Sequence, residues 1–276
     1  SSRNSCISTF LKPPCTMTPH WTEQRDALRE WLVSHPQILI GCDFDGTLAP
    51  LVPHADEVSL PETTRDALTR LSALPGVQLA FISGRGLADL RRRVALPNVL
   101  YAGNHGLEMT APDGSVVFAP AAVEARSMLQ QVQAKLAPAL QHLPGVWIED
   151  KQLTLSIHFR QAAASCHAEV EQRVRDHVRG ISTLEVRPAK CIWEIRPAID
   201  WDKGSVLRCF LEQTRVPSHA AAFMGDDVTD QDAFRELPDG WTFFVGDTFQ
   251  STARLRLHDP RDTAELLCWM AEQRTA

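Results

Sequence analysis

The sequence lacks any apolar run approaching the roughly 18 residues that a membrane-crossing helix requires, which excludes such a helix and, with it, a membrane partner. It also lacks a positive balance: 28 Lys and Arg against 34 Asp and Glu leave a formal charge of −6. That sign is wrong for a protein that lives on phosphate backbones, so no nucleic acid partner is expected and any phosphate must be met by a local site. Cys-x-x-Cys pairs are missing, and the seven cysteines are odd in number and scattered. This pattern suits small buried thiols in a reducing, cytoplasmic setting better than a disulfide framework or a zinc site. No internal repeat is found. Acidic residues are absent from the first 22 positions, where four serines fall within the first nine and Pro13-Pro14 follows. Nothing there repeats at helical or strand period, so residues 1–22 read as a disordered tail or leader. Met17 offers an internal start, with residues 1–16 as an upstream extension.

What is present is globular in composition, with 44 % hydrophobic and 22 % charged residues, and 276 residues allow one large domain or two smaller ones. Ile38-Leu39-Ile40, Leu79 to Ile82, Val99 to Tyr101, Ala221 to Met224 and Phe243 to Val245 are short and continuously apolar, as strands covered on both faces are. Helical patterns lie between them: Thr64, Ala67, Leu68, Leu71 and Leu74; Leu87, Leu90 and Val94; Val206, Leu207, Phe210 and Leu211. The alternation predicts an α/β fold with a doubly wound parallel sheet.

The middle of the chain changes period. Leu153, Leu155, Ile157 and Phe159 alternate with polar residues, Cys191, Trp193 and Ile195 with Ile192, Glu194 and Arg196, and Leu184 and Val186 with Glu185 and Arg187. Period two over short segments predicts an antiparallel sheet with one wet face. Helical patterns accompany it (Ala125, Met128, Leu129, Val132, Leu136; Val170, Val174, Val178). Residues 108–197 therefore read as an α+β insert interrupting a core made from 23–107 and 198–276.

Chemistry concentrates at strand ends. Asp43-Phe44-Asp45-Gly46-Thr47 follows the first strand, where open α/β sheets place their ligands. Two carboxylates one residue apart can divide labour between attack or metal binding and acid–base work, while the Gly46 turn offers N–H groups to an anion. An Asp-Gly hairpin turn is disfavoured, because Leu48 to Pro53 contains two prolines and cannot return as a regular strand. Gly225-Asp226-Asp227-Val228-Thr229-Asp230 follows another strand. Capping explains one of these aspartates, but three within five positions repel unless a cation offsets them, and hard oxygen donors favour Mg²⁺. Ser83-Gly84-Arg85 precedes a helix, whose N-terminus suits an anion, although Ser-Gly is also a routine turn. Lys203 opens a helix against the macrodipole, which fits either plain surface or a site facing carboxylates and phosphate.

Asp43-x-Asp45-Gly46-Thr47, Ser83, Lys203 and Gly225-Asp226-Asp227, in this order, resemble the four motifs of the haloacid-dehalogenase-type phosphatases. Ser83-Gly84-Arg85, Gly103-Asn104-His105-Gly106-Leu107-Glu108, Glu149-Asp150-Lys151, His158-Phe159-Arg160, Glu194-Ile195-Arg196-Pro197, Asp202-Lys203-Gly204 and Asp226 to Asp230 are similar to segments of the trehalose-6-phosphate phosphatases. The resemblance spans about residues 38–247 and implies a Rossmann-like core with 108–197 as its cap domain. It implies Asp43 as nucleophile and Asp45 as acid and base, its acid role needing a pKa raised by Asp43 and the phosphate. It further implies Mg²⁺ held by the Asp43 side chain, the Asp45 carbonyl and Asp226, with Asp227 or Asp230 outside them. Thr47, Gly46, Ser83, Gly84, Arg85 and Lys203 would hold the phosphoryl group. Lys151 and Glu194 are the sugar-binding candidates and His105 a pocket residue; a salt-bridged wet sheet face and a structural histidine account for the same residues. The substrate expected is a small sugar phosphate, trehalose 6-phosphate first, with sucrose phosphate or a glycosyl-glycerate phosphate as alternatives. A phospho-receiver or a non-catalytic binding module is the alternative of another class, and a monomer is favoured.

Overall fold

Strand β1 (Ile38–Cys42) is buried at every position, as a continuous apolar run covered on both faces must be. Its alternate residues serve two cores. Ile38, Ile40 and Cys42 join one cluster with Leu28, Leu68, Leu90 and Leu266. Leu39 joins the other with Leu207, Phe210, Phe223 and Phe234. Each leucine or isoleucine so buried contributes about 1.5–3 kcal/mol. The computed structural model describes residues 18–53, 57–119, 122–189, 191–247 and 251–275.

Around β1 run β2 (Val77–Ile82), β3 (Leu100–Gly103), β10 (Ala221–Gly225), β11 (Trp241–Val245) and β12 (Leu255–Leu257). They pair in parallel in the order β12-β11-β10-β1-β2-β3. Helices α1 (Arg25–Ser34), α2 (Glu62–Ser72), α3 (Leu87–Val94) and α8 (Pro260–Thr275) supply the first cluster; α6 (Lys203–Thr214) and α7 (Asp230–Arg235) supply the second. This is the doubly wound core expected from the apolar runs, with β12 too short to have announced itself.

The insert begins later than residue 108. Strands β4 (Glu108–Thr110) and β5 (Val116–Phe118) pair antiparallel beside β3 and extend the core sheet to eight strands. The separate unit starts with α4 (Ala122–Leu140) and continues through β6 (Trp147–Asp150), β7 (Leu155–His158), α5 (His167–Val178), β8 (Leu184–Ala189) and β9 (Ile192–Pro197). Its four strands pair antiparallel in the order β6-β7-β9-β8, and both helices pack on one face through Leu129, Leu136, Val170, Val174, Ile157 and Ile195.

Two further expectations change. The tail assigned to residues 1–22 ends sooner, because Trp21 is fully buried and its Nε1–H donates to Asp262 Oδ1 (2.7 Å). His20 Nε2 lies 2.6 Å from Asp262 Oδ2, and Arg256 N–H donates to the Pro19 carbonyl (3.0 Å), so 19–22 belong to the core. Residues 1–17, including Met17, lie outside the described residues. The polar face of the inserted sheet is not wet over its inner half: Thr154, Ser156, Glu194 and Arg196 are buried, because that face closes over the core. Among the described residues, no helix is long and apolar enough to cross a membrane.

Candidate active site

The C-terminal ends of β10, β1 and β2 stand side by side, and Asp226, Asp43 and Ser83 follow directly from them. Asp43 is 5 % exposed, with its N–H donating to the Met224 carbonyl (2.9 Å). Lys203 is 2 % exposed and donates from Nζ to Asp43 Oδ1 (2.7 Å) and Asp230 Oδ1 (2.6 Å). Its helix is capped by Asp202, which accepts from Ser205 N–H (2.8 Å). A cation at this end of a helix opposes the macrodipole, and the two carboxylates offset that cost. Burial opposes the charged form of Lys203, but Asp230 and Asp43 outweigh it and push the ammonium above its usual range. Asp226 completes the group: one carboxylate oxygen from each of Asp43, Asp226 and Asp230 lies within 4.8 Å of the others.

Three carboxylates around one buried ammonium leave negative charge in excess. Burial, opposed by Lys203 and reinforced by Asp230 and Asp226, pushes Asp43 well above the usual carboxylate range. Burial and then Asp230 push Asp226 up to about 7. Hard oxygen donors with uncompensated charge fit a divalent cation of the Mg²⁺ type. The backbone is shaped for this approach: Gly46 sits at φ +84°, and a Cβ there would meet Asp226 Oδ2 at 2.1 Å. Of the five expected metal ligands, Asp43, Asp226 and Asp230 come together. Asp227 is exposed; its N–H donates to Asp230 Oδ2 (2.9 Å) while its carboxylate meets Thr229 Oγ1 (3.4 Å). For Asp45 the expected donor is the backbone carbonyl, and its carboxylate is turned to Arg85.

Asp45 is held by Arg85, which donates from Nε to Oδ2 (2.7 Å) and from Nη2 to Oδ1 (2.6 Å). Such a bidentate pair fixes the plane of the carboxylate as well as its position. Arg85 also bonds Asp89 (2.9 Å) and lies over the Phe44 ring, 5.6 Å from its centroid. Thr47 is fully buried and donates from Oγ1 to Asp226 Oδ1 (3.2 Å). Ser83 Oγ accepts from Arg85 N–H (3.2 Å), and the Gly84 carbonyl accepts from Lys151 Nζ (3.2 Å).

That last bond joins insert to core, and others surround it. Asn104 and His105 adopt left-handed backbone at φ 51° and 55°, a conformation that costs of order 1–3 kcal/mol unless neighbours hold it. Asn104 N–H donates to Arg85 O (2.6 Å) and His105 N–H to Ser83 O (2.9 Å). The Asn104 amide donates to Glu108 Oε1 (2.7 Å) and Lys151 O (3.0 Å) and accepts from Thr154 Oγ1 (3.2 Å). His105 Nε2 lies 3.4 Å from Glu194 Oε1. His105, Lys151 and Glu194 thus share one border, beside the loop that carries Ser83. Burial would push Glu194 up, but His105, Lys151 and Arg196 outweigh it and hold the carboxyl at about 2.

A folded-state pKa below the ordinary value near 4.3 contributes stability above that pH and loses it as the pH falls toward 2. The full contribution is about 3 kcal/mol. Glu194→Gln should therefore unfold at lower denaturant than wild type at pH 7, with the gap narrowing below about pH 4. Denaturant titrations at pH 7 and pH 3 check this; a gap that does not change with pH contradicts it.

Several residues at this border went unassigned from sequence. Glu108 Oε1 accepts from Leu87 N–H (2.8 Å) as well as from Asn104, so it ties the start of α3 to the 104–106 turn. Glu149 Oε2 bonds His158 Nε2 (2.8 Å) and lies 3.9 Å from Lys151 Nζ. Pairing β6 with β7 in register would have put Trp147, Glu149, Ser156 and His158 on one face, since alternate residues share a face. Asn104 and Glu108 carry no periodic signal; the resemblance of the Gly103 to Glu108 segment marks them without giving them a role.

A family model described as trehalose-phosphatase matches residues 42–252. The trehalose-phosphate phosphatase of Mycobacterium marinum is 37 % identical over 268 residues, covering 92 % of this chain and 67 % of that protein. Its counterpart in Mycobacterium tuberculosis (strain H37Rv) is 38 % identical over 241 residues, 84 % of this chain and 60 % of that one. The chain thus spans about three fifths to two thirds of the length of these two relatives. Among solved structures, the C-terminal domain of trehalose-6-phosphate phosphatase from C. albicans superposes with a TM-score of 0.79 at 24 % identity. That match covers 92 % of this chain and 99 % of the other. A haloacid dehalogenase-like hydrolase from Bacteroides thetaiotaomicron gives 0.61 at 16 % identity, over 84 % and 98 %. At these identities the structural likeness concerns the fold.

Proposed function

The chain belongs to the trehalose-phosphatase family, and on that premise we propose that it hydrolyses trehalose 6-phosphate to trehalose and inorganic phosphate with Mg²⁺. The observation that carries the proposal is the buried constellation of Asp43, Asp226, Asp230 and Lys203 at the ends of β1 and β10. In the first half-reaction an Asp43 oxygen attacks phosphorus and the bond from phosphorus to the sugar oxygen breaks. Asp45, freed from Arg85 on one oxygen and protonated there before attack, gives that proton to the departing oxygen. In the second half, water attacks the phosphoryl group on Asp43 while Asp45 takes the water proton. Phosphate leaves and Asp43 is restored.

The Asp43 side chain, the Asp45 carbonyl and Asp226 would hold the metal; Asp230, whose oxygens accept from Lys203 Nζ and Asp227 N–H, stands behind them. When bound, Mg²⁺ offsets the combined negative charge of the carboxylates and the phosphoryl group. Thr47, Ser83 and Lys203 orient the phosphoryl oxygens, and the Gly46 and Gly84 turns keep the backbone close to them. Arg85 holds Asp45 between its two proton transfers. The inserted unit excludes water and reads the sugar, with Lys151, Glu194 and His105 at its border with the core. A cytoplasmic location fits the five described cysteines, all of them free thiols.

Phosphate release measured across trehalose 6-phosphate, sucrose 6-phosphate and glucose 6-phosphate tests the substrate. The proposal expects trehalose 6-phosphate to be fastest, and a faster rate on either of the others overturns it.

A further inference from the structure

The polar face of the inserted sheet is arranged in three rows. Cross-strand pairing aligns Glu149, Ser156, Glu194 and Arg187 in the middle row. Lys151, Thr154, Arg196 and Glu185 form the inner row, tied to the core at Gly84, Asn104 and the Trp201 carbonyl. The outer row breaks the pattern: Trp147, His158, Ile192 and Ala189 follow in register. The charged rows thus end in an apolar rim on the same face, since the opposite face is occupied by α4 and α5.

Trp147 is 46 % exposed, which is unusual for so large an apolar side chain. It is nevertheless fixed in orientation. Its ring lies parallel to the His158 imidazole, with centroids 3.8 Å apart and planes 2° apart. His158 in turn is held by its bond to Glu149 (2.8 Å). One face of the indole is therefore covered and braced, and the exposure belongs to the rest of the ring. It stands two row steps from Lys151, with only the middle row between them, about 13 Å along a strand. Trp147 lies beyond Lys151 and Glu149 as this face runs outward from the Gly84 contact, so it suits only a part of the ligand remote from the phosphate.

We infer that Trp147, braced by His158, is the stacking platform for the sugar ring remote from the phosphate. The inference rests on the proposed reading of the substrate as a disaccharide phosphate and assigns a residue that determines its specificity. A pyranose presents a face of C–H bonds between its equatorial hydroxyls. An aromatic plane buries that face, while a neighbouring carboxylate such as Glu149 accepts from the hydroxyls at the ring edge. The change from a charged middle row to an apolar outer row matches a ligand whose near end is ionic and whose far end is neutral.

The test compares kcat/KM for trehalose 6-phosphate and glucose 6-phosphate in wild type, Trp147→Ala and Trp147→Phe, with Mg²⁺ present. The ratio between the two substrates should fall about tenfold in Trp147→Ala, chiefly through KM for the disaccharide, and should be largely kept in Trp147→Phe, which retains a ring. If Trp147 served only to brace His158 and Glu149, both substrates would suffer in parallel; an unchanged ratio in a folded variant overturns the platform alone. A wild-type enzyme with no preference for the disaccharide overturns the substrate reading and the platform with it. Trp147→Leu, apolar but without a ring plane, gives the same comparison if the alanine variant is unstable.

Discussion

Asp43→Asn should abolish phosphate release, by about 10⁴-fold or more, while the protein stays folded. The amide nearly reproduces the shape of the carboxylate but cannot attack phosphorus. It also removes one of three carboxylates crowded around a single buried ammonium. Burial and its acidic neighbours already push Asp43 toward its neutral form, so the neutral amide should leave the melting temperature no lower than that of wild type. Loss of activity with retained or increased stability is the pattern of a group kept for chemistry at the expense of the fold. Phosphate assays and thermal unfolding on the same preparation check both halves. A variant with activity within tenfold of wild type would show that another group attacks.

Lys203→Met should damage fold and function together. The ammonium is the one cation whose hydrogen bonds bridge Asp43 and Asp230 among the described residues, and it is almost fully buried. Removing one partner from a buried ion pair costs about 3–5 kcal/mol, because the charges left behind have neither water nor a counter-ion. For a chain of this size that corresponds to a drop of roughly 6–20 °C in melting temperature. Catalysis should fall by about 10²–10³, the usual effect of losing one charge-stabilising donor at a phosphoryl site. The contrast between the two variants separates the roles proposed for them, Asp43 as the reacting group and Lys203 as the group that holds it in place. Melting temperatures for wild type and Lys203→Met within about 2 °C would contradict the burial argument.

The legible part of the molecule was the part governed by local periodicity and by charge density. Ile38-Leu39-Ile40 and Ala221 to Met224 announced β1 and β10 because both faces of those strands are covered. Asp43, Asp45, Asp226, Asp227 and Asp230 announced a site because aspartates cluster so densely only at a cost. Local sequence could not say which of them come together. Asp227 points to solvent and Asp45 turns to Arg85, a residue 40 positions away. The three-residue strands β4 and β5 have too little pattern to declare which sheet they join. Polar alternation in the insert announced an antiparallel sheet but not that its inner polar rows would be buried. Glu194 is matched in part by His105, a group distant in sequence, and Arg196 by Glu185 on the neighbouring strand. Trp21 reads as the end of a tail until Asp262 meets it from the far end of the chain.

On the proposed mechanism this acidic site uses a metal to release phosphate from one particular sugar phosphate. Initial rates of phosphate release from trehalose 6-phosphate and glucose 6-phosphate, on metal-stripped protein before and after Mg²⁺ is restored, test it most directly. The expected result is little release without metal, and recovery with Mg²⁺ that strongly favours trehalose 6-phosphate. Equal rates on the two sugars, or full activity in the stripped protein, would contradict it.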